Sequence, residues 1–300
     1  MTGARRDIAR VLVVSKKSTY ALYVEDAKDP RFLELVRENH PSVARLRVAH
    51  EAHERALAHA RTVFDKLGVE VTYQVVGGEA AVDADLVVTL GGDGTLLWVS
   101  HIVDANVPMV GINTSPGDSV GYFCAATNDA VGDALADAVR GTLPELALTR
   151  MRVDLDEQVL TRRVLNDLLF SHRIPAATTR YLLACGGAEE EHKSSGVWVG
   201  TAAGSTAAMR SAGGDVLPID SDELQFVVRE PYVGDGSCLR MTKGRIPAGD
   251  ALEIRSQTPT GAVYFDGPYR EHTVPMGAVL RMSRSEEPLH LLGLGTRRAG

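Results

Sequence analysis

The run LVVTLGGDGTLLWVSHIV, residues 86–103, sets Gly91, Gly92, Asp93, Gly94 and Thr95 between an apolar, β-branched stretch and a helical pattern. Parallel-sheet proteins bind ligands beyond the carboxyl ends of their strands, and a strand-to-helix turn lies at such an end. Glycines let a ligand approach the main chain and permit dihedrals that a Cβ would forbid. The N–H groups opening the next helix can face an anion such as phosphate. Asp93 needs a further role, because a carboxylate beside phosphate is repulsive unless it binds a metal or accepts a proton from a hydroxyl nucleophile. The plainer reading is a turn in which Asp93 or Thr95 caps the helix. Three glycines exceed what a cap requires, so the chemical reading is favoured.

Three other stretches carry polar residues in unusual settings. In SSGVWVGTAAGSTAAMRSAGG, residues 194–214, a strand over Val197–Gly200 runs into Thr201, Gly204, Ser205 and Thr206, then into a helix of small residues closed by Gly213 and Gly214. Thr206 or Ser205 would cap that helix, and small side chains leave room for a flat ligand. A helix packed tightly on a sheet asks for the same residues, so both readings stay open. In RRVLNDLLFSH, Asn166 and Asp167 interrupt an otherwise apolar strand. Adjacent strand residues face opposite sides, so only one faces a given cleft unless a bulge intervenes. Taken alone this is a strand end at a turn; the sharper reading has Asn166 bonded to a base or ribose and Asp167 accepting from ribose hydroxyls. VYFDGPY ends on Asp266-Gly267, first of all a turn signal. His172, Arg173 and Arg180 could serve phosphates, Glu189–Glu191 reads as a solvated loop, and Cys124, Cys185 and Cys238 read as core or near-surface residues.

A scaffold for these stretches is legible. From Arg10 to Leu146 strands alternate with helices: RVLVVS, a helical region over Pro41–Leu67 ended by Gly68, VEVTYQVV, ADLVVTL, a helix from near Thr95, VPMVGINT, and the amphipathic DAVGDALADAVRG closed by Gly141. That alternation implies a mainly parallel sheet covered by helices. After Pro144 come short strand candidates separated by turn residues, the pattern of an antiparallel β domain. The expected fold class is α/β plus all-β. It comprises a mainly parallel α/β domain over 1–146, an antiparallel β-rich domain over 147–285, and a final segment, 286–300. In that segment HLLGLG returns as a strand to the first sheet and TRRAG is a disordered tail.

Composition narrows the function classes. The chain has 300 residues, 44% hydrophobic and 24% charged, as in ordinary soluble globular proteins. A formal net charge of −7 argues against a nucleic-acid or anionic-membrane binder, which needs a basic face. No segment approaches the ~18 consecutive apolar residues of a membrane span. MTGARRDIARVLVV lacks the apolar core and cleavage site of a signal peptide. Three scattered cysteines form no CxxC pair, so the expectation is a reduced, cytoplasmic protein without a structural zinc site.

In this order, GGDGT, LND, GTAAGSTAAMRSAGG and FDG resemble the motifs of the NAD kinase family, over roughly Val11 to Leu292. GINTSPGDSVGYFC, HKSSG and FVVREP resemble its divergent mitochondrial-type branch more than the common bacterial one. The resemblance implies two domains with the active site in the cleft between them. It further implies ATP-dependent phosphorylation of the adenosine ribose 2′-hydroxyl of NAD, giving NADP, with Mg²⁺ accompanying ATP and a homodimer or larger assembly. Asp93 would be the general base. The nucleotide-binding residues would be Gly91, Gly92, Gly94, Thr95, Asn166, Asp167, Thr201, Gly204, Ser205, Thr206, Ala207, Ser211 and Asp266, with no resident metal ligand. Four positions depart from the family pattern: Ala208 stands for a tyrosine, Ser194-Ser195 for Gly-Asp, and Asp167 for glutamate. Competing readings are a lipid or sugar kinase using the same turn and a catalytically silent nucleotide sensor; polyphosphate could also replace ATP as donor.

Overall fold

The computed structural model describes residues 7–78, 83–234 and 238–294, and the tail expected to be disordered, residues 296–300, lies outside them. The chain divides between residues 146 and 147 into two compact units, and residues 290–294 belong to the first. The fold class is α/β plus all-β.

The first unit is built on β1 (Arg10–Ser15), β2 (Glu70–Val75), β3 (Leu86–Gly91), β4 (Met109–Asn113), β5 (Cys124–Thr127) and β6 (Glu145–Leu148). Its helices are α1 (Pro30–Arg37), α2 (Leu46–Leu67), α3 (Asp93–Ser100) and α4 (Val131–Arg140). Strand order is β2-β1-β3-β4, then a late strand over Leu289–Leu292, then β6, with β5 paired to β4. β1, β2, β3, β4 and β5 pair in parallel, as does the late strand with β4. β3 and β4 are buried along their whole length, which explains their continuous apolar runs: both faces of the sheet are covered. On one face Val11, Val13, Val88, Leu90, Val110 and Ile112 pack with Ala56, Ala60 and Phe64 of α2 and Leu135 of α4.

α2 buries His53, Ala56, Ala60 and Phe64, one stripe at helical spacing, and ends on Gly68 in the left-handed conformation. It starts at Leu46 rather than Pro41, because Pro41–Val43 forms a separate single turn. Sequence reading overlooked the elements before it, a π-helical turn at Ala21–Asp26 and α1. α1 buries no residue, so it offers little core-facing periodicity to detect.

The second unit packs two antiparallel six-stranded sheets around one core. In chain order its strands are β7 (Met151–Leu155), β8 (Gln158–Val164), β9 (Asp167–His172), β10 (Thr179–Cys185), β11 (Ala188–Ser194) and β12 (Val197–Gly200). They continue with β13 (Leu224–Val228), β14 (Lys243–Ile246), β15 (Ala251–Ser256), β16 (Gly261–Phe265), β17 (Glu271–Val274) and β18 (Val279–Arg284). The sheet orders are β11-β10-β15-β18-β7-β8 and β14-β13-β12-β9-β16-β17. Met151, Leu183, Leu252, Leu280 and Met282 of one sheet meet Leu168, Phe170, Val199, Phe226 and Val263 of the other. The late strand of the first unit, β19 (Leu289–Leu292), follows.

Two expectations are corrected here. RRVLNDLLFSH is not one interrupted strand but the end of β8 and the start of β9, which belong to different sheets, with the chain turning a corner at Leu165-Asn166. Glu189–Glu191 are not a loop; they pair with Ala184, Leu183 and Leu182 in β11, where Glu190 accepts the N–H groups of Arg240 and Met241. Among the described residues no helix is long and apolar enough to cross a membrane.

Candidate active site

The Gly91–Thr95 turn joins β3 to α3, and each of its residues has a distinct local task. A Cβ on Gly91 would fall on the Thr95 side chain, and one on Gly92 would fall on Ser119. Those two glycines are therefore required by the fold itself. Gly94 is different: a Cβ there would meet nothing within 4 Å, and its φ lies outside the left-handed region. The folded chain alone gives no reason for a glycine at that position.

Asp93 does not cap α3. The N-cap is Gly92, without a side-chain cap bond. The half-buried carboxylate instead reaches across the strand ends, where its two oxygens accept the N–H groups of Tyr122 and Phe123, each at 2.9 Å. Its own N–H points at Ser119 Oγ at 3.4 Å. Asn113 steadies the same loop, with Nδ2 donating to Ser119 O and Oδ1 accepting from Ser115 N. The carboxylate is thus fixed from one side by backbone donors, and a carboxylate has lone pairs for more than two.

In the second unit, the corner between β8 and β9 gathers the remaining motifs. The Asp266 carboxylate accepts the N–H groups of Leu165, Asn166 and Asp167 at 2.8, 2.7 and 3.2 Å. Asp266 and Gly267 both have positive φ, so Asp-Gly forms the expected turn, while the aspartate also ties the corner. Thr201 N donates to Asn166 O at 2.9 Å, and Thr201 Oγ1 donates to Leu165 O. Ser205 Oγ donates to Ala202 O and accepts Leu217 N, bracing the turn Ala203–Thr206. Thr201, Ser205 and Asp266 therefore have their polar groups engaged within the fold. Neither Ser205 nor Thr206 caps the short helix α5 (Ala208–Ser211): its N-cap is Ala207, and Ser205 donates to the preceding turn instead.

Gly204 lies so close to Asn166 that a Cβ would overlap its backbone carbonyl. Gly204→Ala should accordingly destabilise the protein by about 1–3 kcal/mol, the usual cost of overpacking. Denaturant melts check this, and an unchanged midpoint would sink it.

The groups left for a ligand are fewer. Among the described residues, Asn166 Oδ1 is buried with no hydrogen-bond partner. Thr206 is half-buried and Asp167 is 7% exposed, and neither side chain takes a hydrogen bond among the described residues. Burial, then the Asp266 charge, pushes the Asp167 carboxyl up to about 7. Beyond the corner, Trp198, Ala208, Ser211, Val228 and Arg229 line an open pocket of about 550 Å³, with the Arg229 guanidinium 5.9 Å from the Trp198 ring.

Asp167 makes a testable pH signature. Its carboxyl titrates near 3.8 in an unfolded chain and near 7 in the fold, so between those values the folded state binds more protons. Stability from this group is full below about pH 4 and is lost as pH rises through 7. With each unit equal to about 1.4 kcal/mol, Asp167→Asn should gain up to a few kcal/mol over the parent at pH 8. No gain should remain at pH 4. Equal melting temperatures at pH 8 would contradict the assignment.

Sequence reasoning missed part of the first unit. Lys16 follows β1 and donates its N–H to Leu90 O, beside the glycine turn. His53, buried in α2, joins Lys16 O through Nε2 and Thr114 Oγ1 through Nδ1, each at 2.9 Å. A carbonyl can only accept, so Nε2 carries the proton and Nδ1 accepts from the threonine. Burial and the nearby Lys16 ammonium lower the imidazole to about 4, leaving it neutral near pH 7. No local motif marks this triad, since its members lie 37 and 61 residues apart. Of the suggested phosphate ligands, His172 bonds Ile174 N and Thr260 Oγ1, and Arg173 pairs with Glu271.

Residues 5–143 match the family model for the ATP-NAD kinase N-terminal domain. A probable NADH kinase of Oryza sativa subsp. japonica is 36% identical over 228 residues, 69% of this chain and 70% of the relative. This chain belongs to the NAD kinase family. The NADH kinase of Arabidopsis thaliana is 34% identical, covering 69% and 72% of the two chains. The NAD kinase of Methanocorpusculum labreanum is 26% identical, covering 76% and 81%. The higher identity to the plant NADH kinases accords with the divergent branch suggested by the motifs. In fold, the chain matches the crystal structure of an NAD kinase from Archaeoglobus fulgidus in complex with ATP. The TM-score is 0.66 at 21% identity, with 94% of this chain and 92% of that one covered.

Set within the NAD kinase family, the departures acquire locations. Ala208, in place of tyrosine, lines the 550 Å³ pocket. Ser194 is buried, with Oγ accepting from Gly196 N and bonded to Tyr181 OH. Ser195 lines a second pocket of about 260 Å³ with Thr178, Lys193 and Tyr232.

Proposed function

We propose that this protein transfers the γ-phosphoryl group of ATP to the adenosine ribose 2′-hydroxyl of NAD, giving NADP, with Asp93 as the general base. The observation carrying this reading is a carboxylate braced by two backbone N–H groups and followed directly by an unobstructed Gly94. A ribose hydroxyl is a poor nucleophile near pH 7, and a positioned base contributes ~10²–10⁴-fold. Asp93 accepts its proton as the oxygen attacks the γ-phosphorus and the bond to the ADP oxygen breaks. The rest of the barrier reduction comes from in-line positioning and charge neutralisation.

Gly94 admits the nucleotide to the backbone, while Gly91, Gly92 and Thr95 shape the turn. Asn166 and Asp167 hold a ribose or base, and Thr206, Ala207 and Ser211 line the nucleotide pocket. Thr201, Gly204, Ser205 and Asp266 hold the corner that presents Asn166 and Asp167. Among the described residues no group of three or more His, Cys, Asp or Glu could hold a metal ion. Mg²⁺ needs only one or two carboxylates when substrate phosphates and waters complete its shell, so the donor set fits an ion arriving with ATP. When bound, it supplies neutralisation of the phosphate charge.

NADH as acceptor is the second reading, favoured by the resemblance to a probable NADH kinase and an NADH kinase. A homodimer or larger assembly, to be read by sedimentation, and a cytoplasmic setting, consistent with three free cysteines, complete the proposal. The test is incubation of purified protein with ATP, Mg²⁺ and either NAD or NADH. The products are detected by an NADP-specific dehydrogenase and by phosphorus NMR for the 2′ position. Binding of both nucleotides without product would overturn the kinase reading in favour of a sensor.

A further inference from the structure

Lys16 stands at the carboxyl end of β1. Ser15 pairs with Leu90, so the next residue along, Lys16, lies beside Gly91 at the entry to the glycine turn. Its side chain is half-buried, with Nζ donating to Ser115 Oγ at 3.3 Å. No carboxylate lies within ion-pair distance of it among the described residues, although the neighbouring Lys17 pairs with Asp26. Asp118 attracts it only from farther away, and burial holds the ammonium below its usual range. Taking an ammonium out of water without a counter-charge is costly.

The placement is also tightly controlled. His53 donates to the Lys16 carbonyl and accepts from Thr114, linking the ends of β1 and β4. Thr114 N in turn donates to Gly91 O at 2.8 Å. One neutral imidazole thus fixes the strand ends that bear the lysine, the turn and Ser115. Such bracing of a half-buried cation that has no carboxylate at ion-pair distance among the described residues has a ready explanation if an anion is to meet it.

Resting on the kinase reading above, we propose that Lys16 is a phosphate-binding residue for the phosphoryl donor and that His53 is its positioning residue. The ammonium supplies positive charge at the strand ends that carry the glycine turn, where donor phosphates would otherwise face the Asp93 carboxylate. It acts as a point charge with rotatable donors, a role suited to lysine.

The test compares Lys16→Met and Lys16→Arg with the parent in two assays. The first is steady-state NADP formation. Lys16→Met should raise KM for ATP and lower kcat, together costing at least tenfold, while KM for NAD moves by less than threefold. Lys16→Arg should recover part of the loss. The second is inorganic tripolyphosphate binding, by calorimetry and melting temperature, with no NAD present. The parent should bind and be stabilised, Lys16→Met should lose both effects, and its ligand-free melting temperature should not fall.

The proposal is overturned if Lys16→Met keeps parental KM for ATP and tripolyphosphate affinity, or if only KM for NAD changes. A lower ligand-free melting temperature with unchanged affinities would make Lys16 merely a partner of Ser115, and would overturn it equally. If the parent forms no NADP but loses tripolyphosphate binding on Lys16→Met, the kinase reading fails while the anion site stands. Running donor saturation with ATP and with polyphosphate separates the two sources of the same chemistry.

Discussion

Asp93→Asn should lower kcat for NADP formation by about 10²–10⁴-fold while NAD affinity changes little. The substitution is less conservative here than its shape suggests. Both carboxylate oxygens accept backbone N–H groups, from Tyr122 and Phe123. An asparagine offers one acceptor and one donor, so one of those N–H groups would face an NH₂. An unsatisfied backbone donor costs about 1–3 kcal/mol, and some loosening of the loop before Phe123 should follow. Three quantities separate chemistry from anchoring: kcat, NAD dissociation constant and melting temperature. A base shows a large kcat loss with binding retained. A fall in kcat matched by an equal loss of NAD affinity would instead make Asp93 a loop anchor, and a loss below tenfold would end the base assignment.

Gly94→Ala should separate stability from binding in the opposite way. The residue sits in the first turn of α3 with open space over its Cα. Alanine is a better helix former than glycine by up to about 1 kcal/mol and restricts the unfolded chain. The variant should melt at or above the parental temperature. If a nucleotide lies on that backbone, the new methyl occupies its place, and kcat/KM should drop by ~10-fold or more. Alanine at Gly91 or Gly92 should instead lower the melting temperature, through collision with Thr95 or Ser119. Full activity in a stable Gly94→Ala protein would mean that no ligand approaches there.

The strand-to-helix glycine motif was legible because its chemistry and its local structure coincide in five consecutive residues. The reasons for the individual glycines were not, since the side chain that forbids a Cβ at Gly92 belongs to Ser119. Asn166 and Asp167 were read by strand alternation, a rule that assumes one continuous strand. The chain instead changes sheets there, and the group that makes the corner possible, Asp266, is about a hundred residues away. Lys16 and His53 carry no local mark at all. A lysine after a strand is ordinarily solvated, and a histidine in an alanine stripe is ordinarily core. Only the contacts with Thr114 and Ser115 distinguish them.

β19 occupies a place in the first unit's sheet between β4 and β6, pairing Leu291 with Met109 and Leu292 with Val110. Both neighbours are translated before the second unit, and β19 after it. A nascent chain therefore carries a gap in its first sheet until the second unit has been made and β19 has followed it from the ribosome. Two of the core strands that support the glycine turn, β3 and β4, can pair early, but the sheet beyond β4 cannot be completed. Of the two units, the one that is made first is thus finished after the other, so a chain cut short after β18 leaves its β4–β6 seam open however well its second unit has folded.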